Sequence, residues 1–203
     1  MKFTYVPPTP QGWAEIQTSR VDFDAHPPVD RLRVCWPLGE ANVDRTAVAA
    51  SLVFAPWTAG RCDFLQPFSA LTGQRITEWF QEAPVWVSPT PIRAGGLSLP
   101  RGRRRFRLSG DGGDELRLTL VDSLLGSSES DEEVRVASNL SVLMANAPTT
   151  AASFAMRLGV AVLVADSLSV NEFIDPEFAA EAPQSFTHAQ RLLESVALGL
   201  RDA

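Results

Sequence analysis

Apolar and polar positions change their spacing several times along this chain, and each change marks a structural element. Residues 32–38 (LRVCWPL) are an apolar run of strand length. After Asn42, a residue suited to cap a helix, Val43, Ala47, Val48, Leu52 and Val53 recur at helical spacing and share one face. RCDFLQP (61–67) predicts a second strand, SALTGQRITEWF (69–80) a second helix carrying Leu71, Ile76, Trp79 and Phe80, and PVWVS (84–88) a third strand. This β-α-β-α-β order predicts an α/β layer with a parallel component over residues 31–88.

The flanking segments read differently. The first thirty residues hold Pro7, Pro8, Pro10, Pro27 and Pro28 and no sustained period, which predicts an extended arm, because proline removes donors and blocks helix. Residues 88–103 (SPTPIRAGGLSLPRGR) have the composition of a linker and predict a boundary. Beyond it, RRFRLSG (104–110) and ELRLTLVDS (115–123) alternate as strands do, SSESDEE (127–133) predicts a solvated acidic loop, and EVRVASN (133–139) another strand. Residues 149–168 predict a long, largely buried helix and NEFID (171–175) a short strand. SFTHAQRLLESVALGL (185–200) predicts an amphipathic helix with Phe186, Leu192, Leu193, Val196 and Leu200 inward. No repeat occurs at solenoid spacing. The expected fold is α/β, a layered and mostly parallel sheet flanked by helices, divided into an arm (1–30), an N-terminal α/β subdomain (31–88) and a second α/β subdomain (104–203).

Composition narrows the function. With 203 residues and 45% hydrophobic content the chain supports a real core. A formal charge of −6 argues against a nucleic-acid surface, which needs a net basic face to release counterions. Lys2 is the only lysine among 18 basic residues, a coding bias without mechanistic content. Cys35 and Cys62 sit in apolar runs as buried thiols, and His26 and His188 lie too far away to complete a zinc site, so no metal is expected. The opening residues lack a signal-peptide pattern. The longest apolar candidate span, LGVAVLVADSL (158–168), falls short of the roughly 18 residues a bilayer requires and is broken by Asp166. A soluble cytoplasmic protein is expected.

The candidate chemistry centres on RRFRLSGDGGDE (104–115). Glycines after an apolar strand can turn consecutive N–H groups toward a phosphate, usually where a helix begins. Ser109, Gly110, Gly112 and Gly113 supply such a loop. No helix follows, and Asp111, Asp114 and Glu115 repel a phosphate unless a divalent cation intervenes, so the residues alone favour a β-hairpin turn. Asp122 and Ser123 stand at a strand's C-terminal end, where ligands bind in α/β layers, although without a histidine nearby a turn or helix cap is the preferred reading. Ser109 has no nucleophile elbow around it, and His188 reads as a surface or cap residue. Arg101, Arg103, Arg104, Arg105 and Arg107 form a basic cluster that suits a phosphate, an acidic partner or a protected strand edge. Trp13, Trp57, Trp79 and Trp86 serve equally as core filling or as interface anchors.

Residues 134–175 (VRVASNLSVLMANAPTTAASFAMRLGVAVLVADSLSVNEFID) resemble a stretch of the QueC-like proteins, relatives of 7-cyano-7-deazaguanine synthase in the PP-loop ATP pyrophosphatase group. Ser138, Asn139 and Leu140 match a strand ending in Thr-Asn-Leu. Ser153, Phe154, Gly159, Ala165, Asp166 and Leu168 match the helix after it. The resemblance implies a PP-loop-like fold for residues 104–203. The family's loop reads Ser-Gly-Gly-x-Asp-Ser; Ser109 and Gly110 match its start and Asp114 its aspartate, while Asp111 intrudes and no serine closes the motif. The synthase's four-cysteine zinc site is absent from the sequence.

The resemblance thus implies a degenerate, truncated member: a non-catalytic binding or structural partner, of an intact QueC-like enzyme or as a homodimer, without cofactor, nucleic acid or membrane. The alternative is an ATP-dependent enzyme that adenylates a carboxylate, with Ser109, Gly110, Gly112 and Gly113 as cradle, Asn139 at the nucleotide, and Asp114 or Asp122 holding Mg²⁺. A third reading is an orphan α/β domain.

Overall fold

Alternation of buried and exposed side chains builds most strands of this protein. In β3 (Arg31–Cys35), Leu32 and Val34 are buried while Arg33 is exposed; in β9 (Glu133–Ser138), Val134 and Val136 are buried while Arg135 is exposed. The computed structural model describes residues 1–9, 12–21, 23–37, 42–80, 86–88, 99, 102–110, 115–122 and 125–203. The other elements of the first half are β1 (Lys2–Val6), β2 (Trp13–Ser19), α1 (Val43–Phe54), β4 (Arg61–Phe64), α2 (Ala70–Trp79) and β5 (Trp86–Ser88). Those of the second half are β6 (Arg104–Arg107), β7 (Leu116–Asp122), β8 (Ser128–Glu129), α3 (Leu140–Met144), α4 (Thr150–Val164), β10 (Val170–Ile174), α5 (Pro176–Glu181), α6 (Pro183–Glu194) and β11 (Gly199–Arg201).

All eleven strands join one sheet in the order β11-β10-β6-β7-β9-β3-β2-β1-β4-β5, with β8 beside β9. Six of the ten described pairings are parallel. Outward from the centre, each half repeats one order: β3-β2-β1-β4-β5 on one side and β9-β7-β6-β10-β11 on the other, which is 3-2-1-4-5 in both. Phe3 lies opposite Phe64 in the first half, and Phe106 opposite Phe173 in the second. The halves meet where β3 and β9 pair antiparallel, Val34 against Ser138 and Cys35 against Ala137. Two strands break the likeness: β8 has no counterpart in the first half, and β7 runs parallel to its neighbours, whereas β2 runs antiparallel to both of its own.

Several expectations change here. The first thirty residues do not form an arm, since they supply β1 and β2 near the middle of the sheet. Pro7 and Pro8 fall in the turn between those strands, where they interrupt no ladder. Fully buried Asp24 orders the segment after β2, accepting from Val21 N and Ala59 N at 2.8 Å each and pairing with the Met1 ammonium at 2.7 Å. RRFRLSG and ELRLTLVDS do not form a hairpin: β6 and β7 are neighbours, but parallel ones. The last predicted helix stops at Glu194, and Leu200 lies in β11 instead, after Ala197 turns the chain at a φ of 53°. Residues 31–88 and 104–203 share one continuous sheet.

The helices cover a single face. α1 packs along α4 and α2 against α6, over Phe3, Ile16, Leu32, Val34, Leu118, Val134, Val136 and Phe173. Each of these side chains, fully buried, contributes about 1.5–3 kcal/mol. α1 begins at Asn42, whose side chain accepts from Asp44 N (3.0 Å) and Arg45 N (3.2 Å), and α4 begins at Thr149, which accepts from Ala152 N at 3.1 Å. The two helices touch through small residues. A Cβ on Gly159 would lie 2.6 Å from Val53 Cγ2 and 3.0 Å from the Ala49 carbonyl oxygen, closer than atoms pack.

Arg45, at the start of α1, ties this helix layer together. It donates to Asp166 beyond the end of α4 and to the Val196 carbonyl at 3.2 and 3.3 Å. Burial holds the Asp166 carboxyl above its ordinary range and the Arg45 guanidinium below its own, so desolvation outweighs pairing for both partners.

Gly159→Ala is expected to lower unfolding free energy by about 1–3 kcal/mol, although alanine is the better helix former by about 1 kcal/mol; urea denaturation measures it. Arg45→Ala, which strands Asp166, should cost about 2–4 kcal/mol. Arg45→Met combined with Asp166→Leu should return stability to within about 1 kcal/mol of the starting protein. Equal losses in the single and double variants would show that the pair itself stabilises the fold.

Candidate functional site

In a sheet ordered 3-2-1-4-5, the crevice lies where the chain departs in opposite directions from two neighbouring strands, outside their carboxyl ends. In the second half those strands are β6 and β10: the chain leaves β6 toward β7, and it reaches β10 by crossing over from β9 through α4. Ser109 follows β6 and Asp175 follows β10, so sequence positions 66 apart meet at this point.

Local chemistry explains why they sit there. Asp175 is the N-cap of α5, accepting from Phe178 N at 3.2 Å, with Pro176 in the first helical position where its missing N–H costs nothing. Its own N–H donates to the Arg201 carbonyl at 2.9 Å, joining it to β11. Asp175 is 0% exposed, and such a carboxylate needs compensation. Ser109 Oγ donates to its Oδ1, and Arg157 Nη2, reaching in from α4, donates to both of its oxygens at 3.2 Å. The Arg157 guanidinium also lies 4.9 Å over the Phe154 ring, which stacks on Phe178 at 5.4 Å.

Gly110 adopts a φ of 76°, and a Cβ there would come within 3.0 Å of Pro176 Cγ. That conformation points the Gly110 N–H at Glu177 Oε1, 3.2 Å away, while Glu177 N donates to Ser109 Oγ at 3.2 Å. The two cradle atoms expected to meet an anion are therefore engaged by carboxylates of the chain itself. The donor set does not fit a triphosphate as it stands, because Asp175 and Glu177 place negative charge where the phosphates would lie. Ser109 is no activated nucleophile either, since the residue is buried and its hydroxyl donates to a buried carboxylate that also accepts from Arg157 and Phe178 N.

The other expected site residues disperse. Gly112, Gly113 and Asp114, with Asp111, Ser123 and Arg101, lie outside the described residues. Asp122 ends β7 and accepts from Ser141 Oγ at 3.4 Å. Asn139 serves the seam between the halves: its Oδ1 accepts from Arg33 N at 2.7 Å, and its Nδ2 donates to the Arg31 carbonyl at 3.0 Å. Sequence reasoning missed Asp175, Glu177 and Arg157. Two signals were present, an Asp-Pro pair directly after an apolar strand and a lone cation inside an otherwise apolar helix.

The equivalent point of the first half, between β1 and β4, is open. A cleft of about 100 Å³ lies there, lined by Phe3, Tyr5, Val43, Ala47, Phe64 and Leu65 among others. The Tyr5 hydroxyl is buried without a hydrogen-bond partner, and burial pushes its pKa up. Among the described residues no three His, Cys, Asp or Glu side chains gather as metal ligands would, and no helix is long and apolar enough to cross a membrane. No protein-family model, curated protein or solved structure matches the chain.

Asp175→Ala leaves the Arg157 charge and the Ser109 hydroxyl without their acceptor, and should cost about 3–5 kcal/mol. Asp175→Asn keeps an acceptor for the Phe178 N–H and should cost about 1–3 kcal/mol. Chemical denaturation of both variants distinguishes this ordering from a dispensable surface cluster, for which both losses would stay below about 0.5 kcal/mol.

Proposed function

We propose that this protein is a non-catalytic binding or structural partner built on an eroded nucleotide-binding sheet, a degenerate relative of the QueC-like PP-loop group. One observation carries the reading. At the β6/β10 crevice, Ser109 Oγ and Gly110 N–H are engaged by Asp175 and Glu177 of the same chain. The strand order supports it as well: β9-β7-β6-β10-β11 follows the 3-2-1-4-5 course of doubly wound nucleotide-binding sheets. Yet β6 leads to the strand β7, and among the described residues no helix between them lends its N-terminus to a phosphate. A chain that keeps the sheet and fills the crevice retains surfaces for a protein partner or for a second copy of itself.

A second reading, an ATP-dependent enzyme that adenylates a carboxylate, draws on a different observation. Among the described residues Arg107 Nε and Arg157 Nε are buried without acceptors, and a phosphate oxygen is an acceptor for such donors. In that reading Ser109, Gly110, Gly112 and Gly113 hold ATP, with Asp114 or Asp122 at Mg²⁺.

Calorimetric titration of ATP with Mg²⁺ into the purified protein, coupled to a pyrophosphate assay, decides between the two. The partner reading expects no saturable heat and no pyrophosphate. Micromolar binding with pyrophosphate release would replace it with the enzyme.

A further inference from the structure

Strand register fixes which side chains share the sheet face opposite the helices. Arg33 lies opposite Glu15, Arg31 opposite Gln17, and Cys35 opposite both Trp13 and Ala137. Ala137 leads through β9 to Arg135 and Glu133, which face Thr119 and Arg117 of β7; Arg117 lies opposite Arg107, Arg107 opposite Ile174, and Ile174 opposite Arg201. Arg105 lies opposite Glu172, and Lys2 opposite Asp63, two residues from Arg61. Nine of the chain's 18 basic residues are therefore on one face: Lys2 and Arg31, Arg33, Arg61, Arg105, Arg107, Arg117, Arg135 and Arg201. The strands bring four carboxylates to the same face, Glu15, Asp63, Glu133 and Glu172, while Glu115 joins Arg107 from the rim.

Among the described residues no helix covers this face. The side chains of Arg33, Arg135 and Arg201 are 48%, 57% and 60% exposed. Parallel strands are ordinarily covered on both faces, and here the described helices cover five parallel neighbours, β11-β10-β6-β7-β9, on one.

We propose that the open, arginine-rich sheet face docks an acidic segment of a partner protein. The proposal deepens the partner reading and rests on it. The face already displays the mode of recognition on its own carboxylates. Glu15 is held by Arg33 at 2.8 Å, with Arg31 4.0 Å away and itself bonded to Asp30 at 3.0 Å, and Glu172 is held by Arg105 at 3.0 Å and Arg201 at 2.5 Å. Arg105 and Arg201 share the single carboxylate of Glu172, and guanidinium forks arranged in this way suit further carboxylates in bidentate geometry. A single-stranded nucleic acid fits less well. It needs successive aromatic platforms for its bases, whereas β3, β9, β7, β6, β10 and β11 bring no aromatic residue to this face. Alternate residues of an extended chain repeat at about 6.7 Å, as do the same-face arginines of one strand, so acidic side chains can meet successive cations.

The test is fluorescence anisotropy with a labelled oligoglutamate peptide at low salt (about 50 mM) and at about 300 mM, with an oligothymidylate of equal charge as comparator. Oligoglutamate is expected to bind, to weaken with salt, and to bind Arg33→Gln/Arg135→Gln about tenfold more weakly. Arg33→Lys/Arg135→Lys, which keeps charge and fold while losing the forks, should show a several-fold loss and serves if the glutamine pair does not fold. Absence of binding, affinity unchanged in both variants, tighter binding of oligothymidylate, or low-salt self-association that both variants abolish would each overturn the proposal. Pyrophosphate release from ATP by the same sample overturns the partner reading instead, so the two failures are distinguishable.

Discussion

Gly159 is the point at which the two halves of the sheet are locked together. Any side chain there would enter Val53 and the Ala49 carbonyl, so α4 and α1 approach to backbone contact only because this position is glycine. The strands beneath repeat the constraint: β3 and β9 pair over a short stretch, which Asn139 extends with its side-chain bonds to Arg31 and Arg33. Two half-sheets of five strands would each leave an edge unpaired and a helix half covered. The close α1–α4 crossing closes both defects at once, and Arg45, held by Asp166 and Val196, fixes its register.

A repeated topology produces two crevices, and the chain treats them differently. At β6/β10 a buried aspartate, a serine, a glutamate and an arginine are joined by mutual hydrogen bonds. At β1/β4 the chain lines the corresponding place with Phe3, Phe64, Val43 and Ala47 and leaves the Tyr5 hydroxyl unpartnered. Shared strand order thus sets where a site can form, and side chains alone decide whether it stays open.

Much of the layer order was legible because helical and strand periods differ. Val43, Ala47, Val48, Leu52 and Val53 marked α1, and the alternation of RLRVC and EVRVA marked β3 and β9. β1 and β2 were hidden by neighbouring prolines, although Ala14 and Ile16 alternate with polar residues as a half-buried strand requires. The parallel pairing of β6 and β7 was not legible, because strand direction is set by tertiary partners: β6 is held on its other side by β10, far away in sequence. Asp175 and Arg157 escaped notice for the same reason, since neither means anything until the crossover through α4 brings them together.

Charge shows most clearly what a sum over the chain conceals. A net charge of −6 argues against an anion-binding surface only if charges are scattered, and a strand does not scatter them. Its period of two sends every second residue to one side, so arginines alternating with leucine and valine in β3, or with valine in β9, all emerge on the same face. Pairing in register then adds the arginines of neighbouring strands to the same array. The apolar residues between them, which hold the helices in place, oblige the cations to face outward. Core and basic surface are therefore two readings of one alternation, and neither can be moved by one residue without turning the other inside out.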